Sequence, residues 1–587
     1  PIGDRGQGHT LFETLDETKT AMGRRLLRDW LARPLMDLEP LQARQHAVGA
    51  FFEDASARMA TREALSGVPD LERLTNRVRS YAASPRDIKG LGRGLNALPG
   101  LVEKLPEAGD AVTRVAGTAP TCQDPSALID AALMDDPPMT AGEGGVIRHG
   151  FDPELDELRS LLSEAQSHLA GLEKQAREDT GIKTLKVGYN KVFGYYIEVS
   201  RPNLGSVPEE WERRQTLVGG ERFITPSLKE YEAKILNARD RISELERSAF
   251  RRVCGELNAY SEQIMAAART VANIDALSAL AEAAAREGWV RPELDDGDAI
   301  EITSGRHPVV ERALGAGRFV PNDTRMSSSG EQLVIITGPN MAGKSTYIRQ
   351  VAVLTLMAQA GSFVPADQAR FGVVDRIFTR TGLADDIAGG QSTFMVEMVE
   401  TASILRQATP RSLIVLDEIG RGTSTYDGMS IARAVAEHIH NSPRLGCKAL
   451  FATHYHEMTA LADSLPRAVN YQVSVSEEDG EIVFLHRIVP GGADSSYGVH
   501  VGQLAGLPAA VVARAWELLQ EWESGSDGPR KRANPPAAAQ LPLLASGSRV
   551  EEELRALDVE NMTPLQAINS LYRLRGLAEG SDGRQAG

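Results

Sequence analysis

The chain has little cysteine: Cys122, Cys254 and Cys447 are the three among 587 residues. They lie far apart and show no metal-ligand spacing, which argues against a disulfide framework and for a reducing, cytoplasmic setting. There is no run of about 18 apolar residues, so no membrane span is expected. The opening residues Pro1-Ile2-Gly3-Asp4-Arg5-Gly6 hold no apolar signal core, so secretion is not expected. Because residue 1 is Pro and not Met, a fragment or a processed chain is expected. Positive charge is in deficit: 64 Lys and Arg face 80 Asp and Glu, a formal net charge of −16. Taken globally, that balance disfavours nucleic acid as a partner. The rest of the composition, 42% hydrophobic and 25% charged, suits a globular protein. The length exceeds what one core accommodates, so several domains are expected.

Residues 1–150 read as a mostly helical core, punctuated by Pro34, Pro40, Pro69, Pro85, Pro99 and Pro137-Pro138. Over 151–180, Leu155, Leu158, Leu162, Ala165, Leu169, Leu172 and Ala176 alternate steps of three and four, the seam of a long packed helix. Residues 181–227 change character. Leu185–Asn190 and Gly194–Val199 read as two strands around a turn at Asn190. The heptad returns over 228–285 through Leu228, Tyr231, Ile235, Ala238, Ile242, Leu245 and Ala249. After one stutter it continues to Ile274. As a single helix, Leu228–Ala285 would be roughly 85 Å long. Two long helices with a β module between them make an antiparallel arm, either a structural coiled coil or a lever. Residues 286–523 alternate strand and helix patterns as an α/β domain does. Residues 524–549 are a Gly/Ser/Pro/Ala-rich flexible linker. Residues 550–587 form a helical appendix, with an acidic start at Glu551-Glu552-Glu553 and apolar Leu565, Ile568, Leu571, Tyr572 and Leu574.

The chemistry is concentrated in the α/β region. The strand Leu333–Thr337 runs into Gly338-Pro339-Asn340-Met341-Ala342-Gly343-Lys344-Ser345, which fits G-x-x-x-x-G-K-[ST]. Glycines let backbone N–H groups turn inward on phosphate oxygens, and the following helix aims its positive end at the same anion. Lys344 adds charge at the β- and γ-phosphates, and Ser345 offers a hydroxyl to Mg²⁺. The apolar strand Ser412–Leu416 ends in Asp417-Glu418. Asp417 is the expected Mg²⁺ carboxylate. Glu418 is the expected group that orients or deprotonates the attacking water. A third strand, Lys448–Thr453, ends at His454, where polar residues face the ligand crevice of open α/β sheets. His454 is either a γ-phosphate sensor or a structural hydrogen-bonder, with His456 the competing candidate. Gly389-Gly390-Gln391-Ser392-Thr393 precedes an apolar helix and is either an anion-binding helix start or an ordinary cap.

These residues resemble the MutS family of DNA mismatch-repair ATPases. The resemblance is carried by Thr337–Tyr347, Ser392–Met398, the string Asp417-Glu418-Ile419-Gly420-Arg421-Gly422-Thr423-Ser424-Thr425-Tyr426-Asp427-Gly428, and Ala452–Tyr455. Leu185–Asn190, Gly194–Ile197 and Arg213–Leu217 look like the family's clamp module. Met22–Leu27 and Trp30-Leu31 look like its core domain. The implied fold is multidomain: a helical core and lever domain with an inserted β-rich clamp, then an α/β P-loop ATPase domain of ABC type. The resemblance implies a homodimer, or a tetramer through the appendix from about Asp558, with ATP or ADP and Mg²⁺ at the subunit interface. Ser392 would reach the partner's γ-phosphate, adenine would lie near Phe319 and His486, Asn340 would contact the phosphate region, and Thr346 would belong to the same loop. Asp427 would sit at the dimer interface, and Leu504–Pro508 would open a segment embracing the other subunit. Duplex DNA and a MutL-type repair factor are the implied partners, in a bacterial, nucleoid-associated setting. The family's Phe-x-Glu mismatch reader has no counterpart here, since Phe12-Glu13 and Phe52-Glu53 have the wrong spacing. A chain that lacks reader and connector domains is therefore expected. Ala342 stands where Gly is common, which a negative φ would tolerate.

Local charge qualifies the global sum. Over 181–229, eight basic residues (Lys183, Lys186, Lys191, Arg201, Arg213, Arg214, Arg222 and Lys229) face five acidic ones, inverting the sign of the whole chain. Charge alone leaves open a solvated mixed surface; with the family resemblance, the expectation is contact with DNA phosphates, independent of sequence and sensitive to salt. The expected function is an ATP-dependent mismatch-repair clamp on duplex DNA. The rivals are a DNA-tethering oligomer with an idle ATPase and a coiled-coil ABC ATPase of chromosome maintenance, whose arm would be far longer.

Overall fold

The computed structural model describes residues 10–190, 194–315, 317–339, 342–381, 393–478, 481–492, 498–523 and 570–571. The expected linker and almost all of the appendix lie outside the described residues, as do Lys191, Asn340, Met341 and Ser392. The chain divides into two compact units, Pro1–Leu507 and Pro508–Gly587.

The first unit opens with helices α1 (Leu11–Leu15), α2 (Ala21–Ala32), α3 (Leu38–Glu53), α4 (Ala55–Ser66), α5 (Leu71–Arg79), α6 (Pro85–Val102), α7 (Gly109–Ala116) and α8 (Gln123–Ala132). Short polar side chains fix where several begin. Thr10, Thr20, Asp54, Asp70 and Ser84 each accept the backbone N–H three residues on, satisfying a donor the helix cannot.

Helix α9 (Pro153–Thr180) leads into an antiparallel sheet of β1 (Lys186–Asn190), β2 (Gly194–Ser200), β3 (Glu212–Thr216) and β4 (Gly220–Ile224), in the order β1-β2-β4-β3. Asn190 pairs with Gly194 across the expected turn. A small core of Ile182, Leu185, Ile197, Val199, Phe223, Leu228 and Ile235 joins this sheet to the returning helix α10 (Pro226–Ala259). The seam residues of α9 and α10 pack on each other along the arm.

The apolar stripe does not form one helix to Ala285. The chain breaks at Tyr260, whose φ of −92° and ψ of 3° turn its N–H toward the carbonyls of Leu257 and Asn258. Helix α11 (Ser261–Glu287) follows and belongs to the helical core, packed on α2, α3, α5 and α7. Its apolar residues run around most of the helix, and from Thr270 to Ala284 only Asn273 and Glu282 are not buried. Length and composition alone would let it cross a bilayer, but 78% of its most apolar stretch is buried inside the protein.

The remainder of the unit holds β5 (Glu293–Asp295), β6 (Ile300–Gly305), α12 (Pro308–Leu314), β7 (Asn322–Met326), β8 (Leu333–Thr337), α13 (Lys344–Ala360), β9 (Gln368–Gly372), β10 (Ile377–Thr381), α14 (Thr393–Gln407), β11 (Leu413–Asp417), α15 (Thr425–Asn441), β12 (Lys448–Ala452), α16 (Leu461–Ser464), β13 (Ala468–Glu478), β14 (Glu481–Pro490) and α17 (Gly498–Leu504). One sheet has the order β10-β11-β12-β8-β13-β14, parallel except for β14 at its edge. The other has the order β5-β9-β6-β7. Every residue of β8, β11 and β12 is buried, as their apolar central residues require in a sheet covered on both faces. Parallel pairing brings the carboxyl ends of these three strands to one edge, where Asp417 lies opposite Ala452 and Ala452 opposite Ile336. In the second unit, α18 (Ala509–Glu523) starts where the Pro508 carbonyl accepts the N–H groups of Val511 and Val512.

Candidate functional site

Beyond β8 the backbone passes through Gly338 at φ +133° and Gly343 at φ +109° before α13 begins at Lys344. Both angles favour glycine. Ala342 is fully buried and is not among the positive-φ residues, so its methyl group fits the loop. Lys344 is buried, and its Nζ donates to the carbonyls of Gly338 and, at 3.0 Å, Pro339. Burial pulls the Lys344 ammonium below its ordinary pKa, while the charges of Glu418 and Asp417 oppose the shift. A cavity of about 320 Å³ opens here, lined by Pro339, Gly343, Lys344, Ser345, Thr346, Glu418 and Arg421.

The end of β11 supplies the opposing charge. Ser345 Oγ donates to Asp417 Oδ1 at 2.9 Å, and Arg349 Nη2 reaches Asp417 Oδ2 at 3.1 Å. Glu418 follows at φ +55°, a left-handed conformation that costs a non-glycine residue about 1–3 kcal/mol and tends to occur where function holds it. Its N–H donates to the Ala452 carbonyl at 2.9 Å, and its carboxylate meets Arg421 at 2.5 Å. Behind this turn, Gly420 donates its N–H to Glu397 Oε1 at 2.8 Å and accepts the Tyr455 hydroxyl at 3.1 Å.

His454 stands just past β12 and is half-buried, its ring 4.1 Å from that of Tyr455. Its Nδ1 is buried without a partner among the described residues. Burial lowers its pKa, and the charges of Arg421 and Lys344 push the same way. His454 does not line the cavity of Lys344 and Glu418. His456 opens the short turn His456–Ala460.

A second cavity, of about 260 Å³, shares Gly343 and Thr346 with the first and contains Phe319 and His486. His486 is held at φ +53°, with Nδ1 3.0 Å from the Ala342 carbonyl. A carbonyl only accepts, so Nδ1 carries a hydrogen. Asn322 fixes this strand by donating to the His486 carbonyl at 3.0 Å and accepting the Ile488 N–H at 2.7 Å.

Sequence reasoning named Phe319, Gly343, Thr346 and His486 as site residues but not the rest of the second cavity's lining, Asn322, Tyr347 and Gln350 among it, nor Arg421 of the first cavity or Arg349 beside it. Gly343, Tyr347 and Gln350 all face the second cavity, and helical spacing along α13 was the signal available for them. Both amide atoms of Gln350 are buried without partners among the described residues. Arg349 lies one turn after Ser345, on the face toward Asp417.

The basic residues of the arm's sheet divide into two groups. Lys183, Lys186 and Arg201 are exposed and carry no ion pair among the described residues. Arg213 meets Glu221 at 3.3 Å and Arg214 meets Glu212 at 3.9 Å. Arg222 is held within the sheet. Its side chain is 18% exposed, paired with Glu198 at 3.0 Å and Gln215 at 3.0 Å, and stacked 4.0 Å over Tyr196. It is committed to holding β2, β3 and β4 together.

Comparison with known proteins places both halves of the chain. The family described as MutS domain III matches residues 2–281, and MutS domain V matches residues 334–523. The family described as DNA mismatch repair protein MutS C-terminal region matches residues 545–577. A DNA mismatch repair protein MutS of Dehalococcoides mccartyi (strain CBDB1) is 50% identical over 97% of this chain and 67% of its own length. One from Chloroflexus aurantiacus (strain ATCC 29366) is 49% identical over 98% of this chain and 63% of its own. One from Methanosarcina acetivorans is 45% identical over 98% of this chain and 67% of its own. The chain thus spans about two thirds of the length of these curated relatives.

Proposed function

The chain belongs to the MutS family of DNA mismatch repair proteins, and from that premise we propose that it is an ATPase whose nucleotide state governs a clamp on duplex DNA. The observation that carries this reading is the 2.9 Å bond between Ser345 Oγ and Asp417 Oδ1, made beside a glycine-framed loop and the Lys344 ammonium. A hydroxyl and a carboxylate oxygen side by side are hard donors of the kind Mg²⁺ prefers. When bound with nucleotide, the ion neutralises charge on the β- and γ-phosphates.

In this reading the N–H groups around Gly338–Ser345 and the start of α13 cradle the phosphates. Lys344 exchanges the Gly338 and Pro339 carbonyls for phosphate oxygens. The base enters the cavity of Phe319 and His486, where aromatic faces cover it. Glu418 orients or deprotonates the attacking water, after giving up its pair with Arg421. His454, on which the charges of Lys344 and Arg421 act, senses the γ-phosphate from the edge of the phosphate-side cavity that Lys344 and Glu418 line. Ser392 of a second copy completes the site across a homodimer. Lys183, Lys186 and Arg201 supply DNA phosphate contacts, with Arg213 and Arg214 weakened by their own carboxylate partners. The helical appendix and a MutL-type factor extend the assembly.

The test is the Glu418→Ala variant measured beside Lys344→Ala. Glu418→Ala is expected to keep nucleotide affinity and to lose hydrolysis by about 10²-fold or more, the scale of a general acid–base contribution. Lys344→Ala is expected to weaken nucleotide binding itself. Unchanged turnover in Glu418→Ala would remove that residue from the mechanism.

A further inference from the structure

We propose that Arg349 is a positioning residue for the metal-binding carboxylate Asp417, a role that rests on the ATPase reading of the site. Asp417 has two oxygens and a side chain only 6% exposed. Ser345 Oγ addresses Oδ1 at 2.9 Å, and Arg349 Nη2 addresses Oδ2 at 3.1 Å. Ser345 and Arg349 are one helical turn apart on α13, so a single rigid face presents a hydroxyl to one oxygen and a cation to the other. The backbone of Asp417 is fixed independently, by parallel pairing with Thr381 on one side and Ala452 on the other. With the backbone set, the two side-chain contacts fix the plane of the carboxylate.

The neighbouring cation does not share this task. Lys344 Nζ is spent on the carbonyls of Gly338 and Pro339. Arg349 is therefore the basic side chain, among the described residues, within hydrogen-bonding distance of Asp417. It approaches the oxygen that Ser345 does not hold, so it leaves the Ser345 side of the carboxylate available to a metal ion. Because the Arg349 side chain is 47% exposed while Asp417 is nearly enclosed, the arginine binds from the rim and does not enter the phosphate-side cavity. An ammonium in its place would reach Oδ2 as a point charge without the planar geometry of the guanidinium.

Groups that orient a metal ligand from outside the coordination shell typically cost about 10–100-fold in metal affinity when removed. The experiment uses the full chain with Arg349→Met and Arg349→Lys. Two quantities are read: fluorescent ADP affinity in EDTA, and the Mn²⁺ half-saturation of the ADP-bound protein by electron paramagnetic resonance. Arg349→Met is expected to keep ADP affinity in EDTA within about twofold and to raise the Mn²⁺ half-saturation about tenfold or more. Arg349→Lys is expected to fall between Met and wild type. An unchanged Mn²⁺ half-saturation overturns the proposal, as does an equal loss of ADP affinity with and without metal, which a merely structural role would give. If Arg349→Met fails to fold, Arg349→Lys and Arg349→Gln carry the same comparison. A wild-type chain that binds no nucleotide overturns the ATPase reading and this proposal together. Metal-dependent wild-type binding with unaltered variants overturns this one alone.

Discussion

Glu246 on α10 accepts the Arg159 guanidinium of α9 at 2.7 Å, and the Glu246 side chain has no exposed surface. The same carboxylate accepts the backbone N–H groups of Gly144 and Gly145 at 3.0 Å and of Val146 at 3.2 Å. One buried charge thus ties both helices of the arm to the loop that precedes it. Removing one partner of a buried pair typically costs about 3–5 kcal/mol, because the remaining groups lose their counterpart in a low-dielectric setting. Glu246→Ala is expected to lower stability by that order. Hydrogen exchange should show it locally, with the amides of Gly144, Gly145 and Val146 losing protection first. Unchanged protection there would mean that the loop is held by something else.

The parts of this arrangement that the sequence reveals are those with their chemistry in one contiguous stretch. Gly338–Ser345 follows an apolar strand, and Asp417-Glu418 ends another, so a phosphate-type loop and a carboxylate pair at strand ends are legible in the sequence, whereas the strand β12 that lies between β8 and β11 in the sheet is not placed there by order alone. The cavity of Phe319 and His486 is not legible in that way, because it gathers α12, the segment before β7, one face of α13 and His486 of β14. Arg222 is illegible for a related reason. A charge count weighs it like Lys186, and nothing local says that Glu198, 24 residues away, already holds it. The break at Tyr260 hides because the apolar stripe runs through it. Only the change from a one-sided seam to the broader apolar surface of α11 marks where arm becomes core.

His307 caps α12, its Nδ1 accepting the Val310 N–H at 3.4 Å, a role that requires an unprotonated nitrogen. Burial, with the nearby Arg349 charge pushing the same way, lowers its pKa to about 4. A base whose folded pKa is depressed stabilises the fold fully above its unfolded value near 6.5. That contribution is lost as pH falls through about 4. Between those limits the unfolded chain takes up the proton and the folded chain does not. Stability should therefore drop by about 3 kcal/mol from this residue over that range. His307→Asn keeps a capping acceptor and does not titrate. The difference in denaturation midpoint between wild type and variant should widen with falling pH in the direction of a relatively more stable variant. Parallel profiles would remove His307 from the acid response.

Gly420 and Gly150 both have positive φ, +92° and +88°, but only one is crowded. A Cβ on Gly420 would lie 2.6 Å from the Gly428 carbonyl oxygen, whereas one on Gly150 would meet nothing within 4 Å. Gly150→Ala should therefore cost only backbone strain, about 1–2 kcal/mol. Gly420→Ala adds a backbone clash of about 1–3 kcal/mol. It should also displace the turn that holds Glu418, since Gly420 is bonded on both sides, to Glu397 and Tyr455. Turnover is the discriminating measurement, and it should fall in Gly420→Ala while staying near wild type in Gly150→Ala. Equal effects would mean that the turn absorbs a methyl group.

The arm's sheet offers two kinds of basic residue, and DNA binding should tell them apart. Lys186 is exposed on β1 and carries no ion pair among the described residues. Its removal should weaken binding uniformly across duplex sequences and reduce the slope of log affinity against log salt by about 1, as expected for one lost phosphate contact. Arg222 lies between Glu198 and Gln215 over the Tyr196 ring. A cation in that position binds its own sheet, and a phosphate would have to displace a carboxylate, an amide and an aromatic face to reach it. Arg222→Ala should leave the salt slope unchanged and instead lower protection of the β2 and β4 amides. It should destabilise the sheet by about 1–2 kcal/mol through the lost stacking and paired hydrogen bonds. A salt slope reduced as much in Arg222→Ala as in Lys186→Ala would show that the pair opens on DNA. Glu198 would then be the group that competes with the phosphate, and Glu198→Gln should strengthen binding.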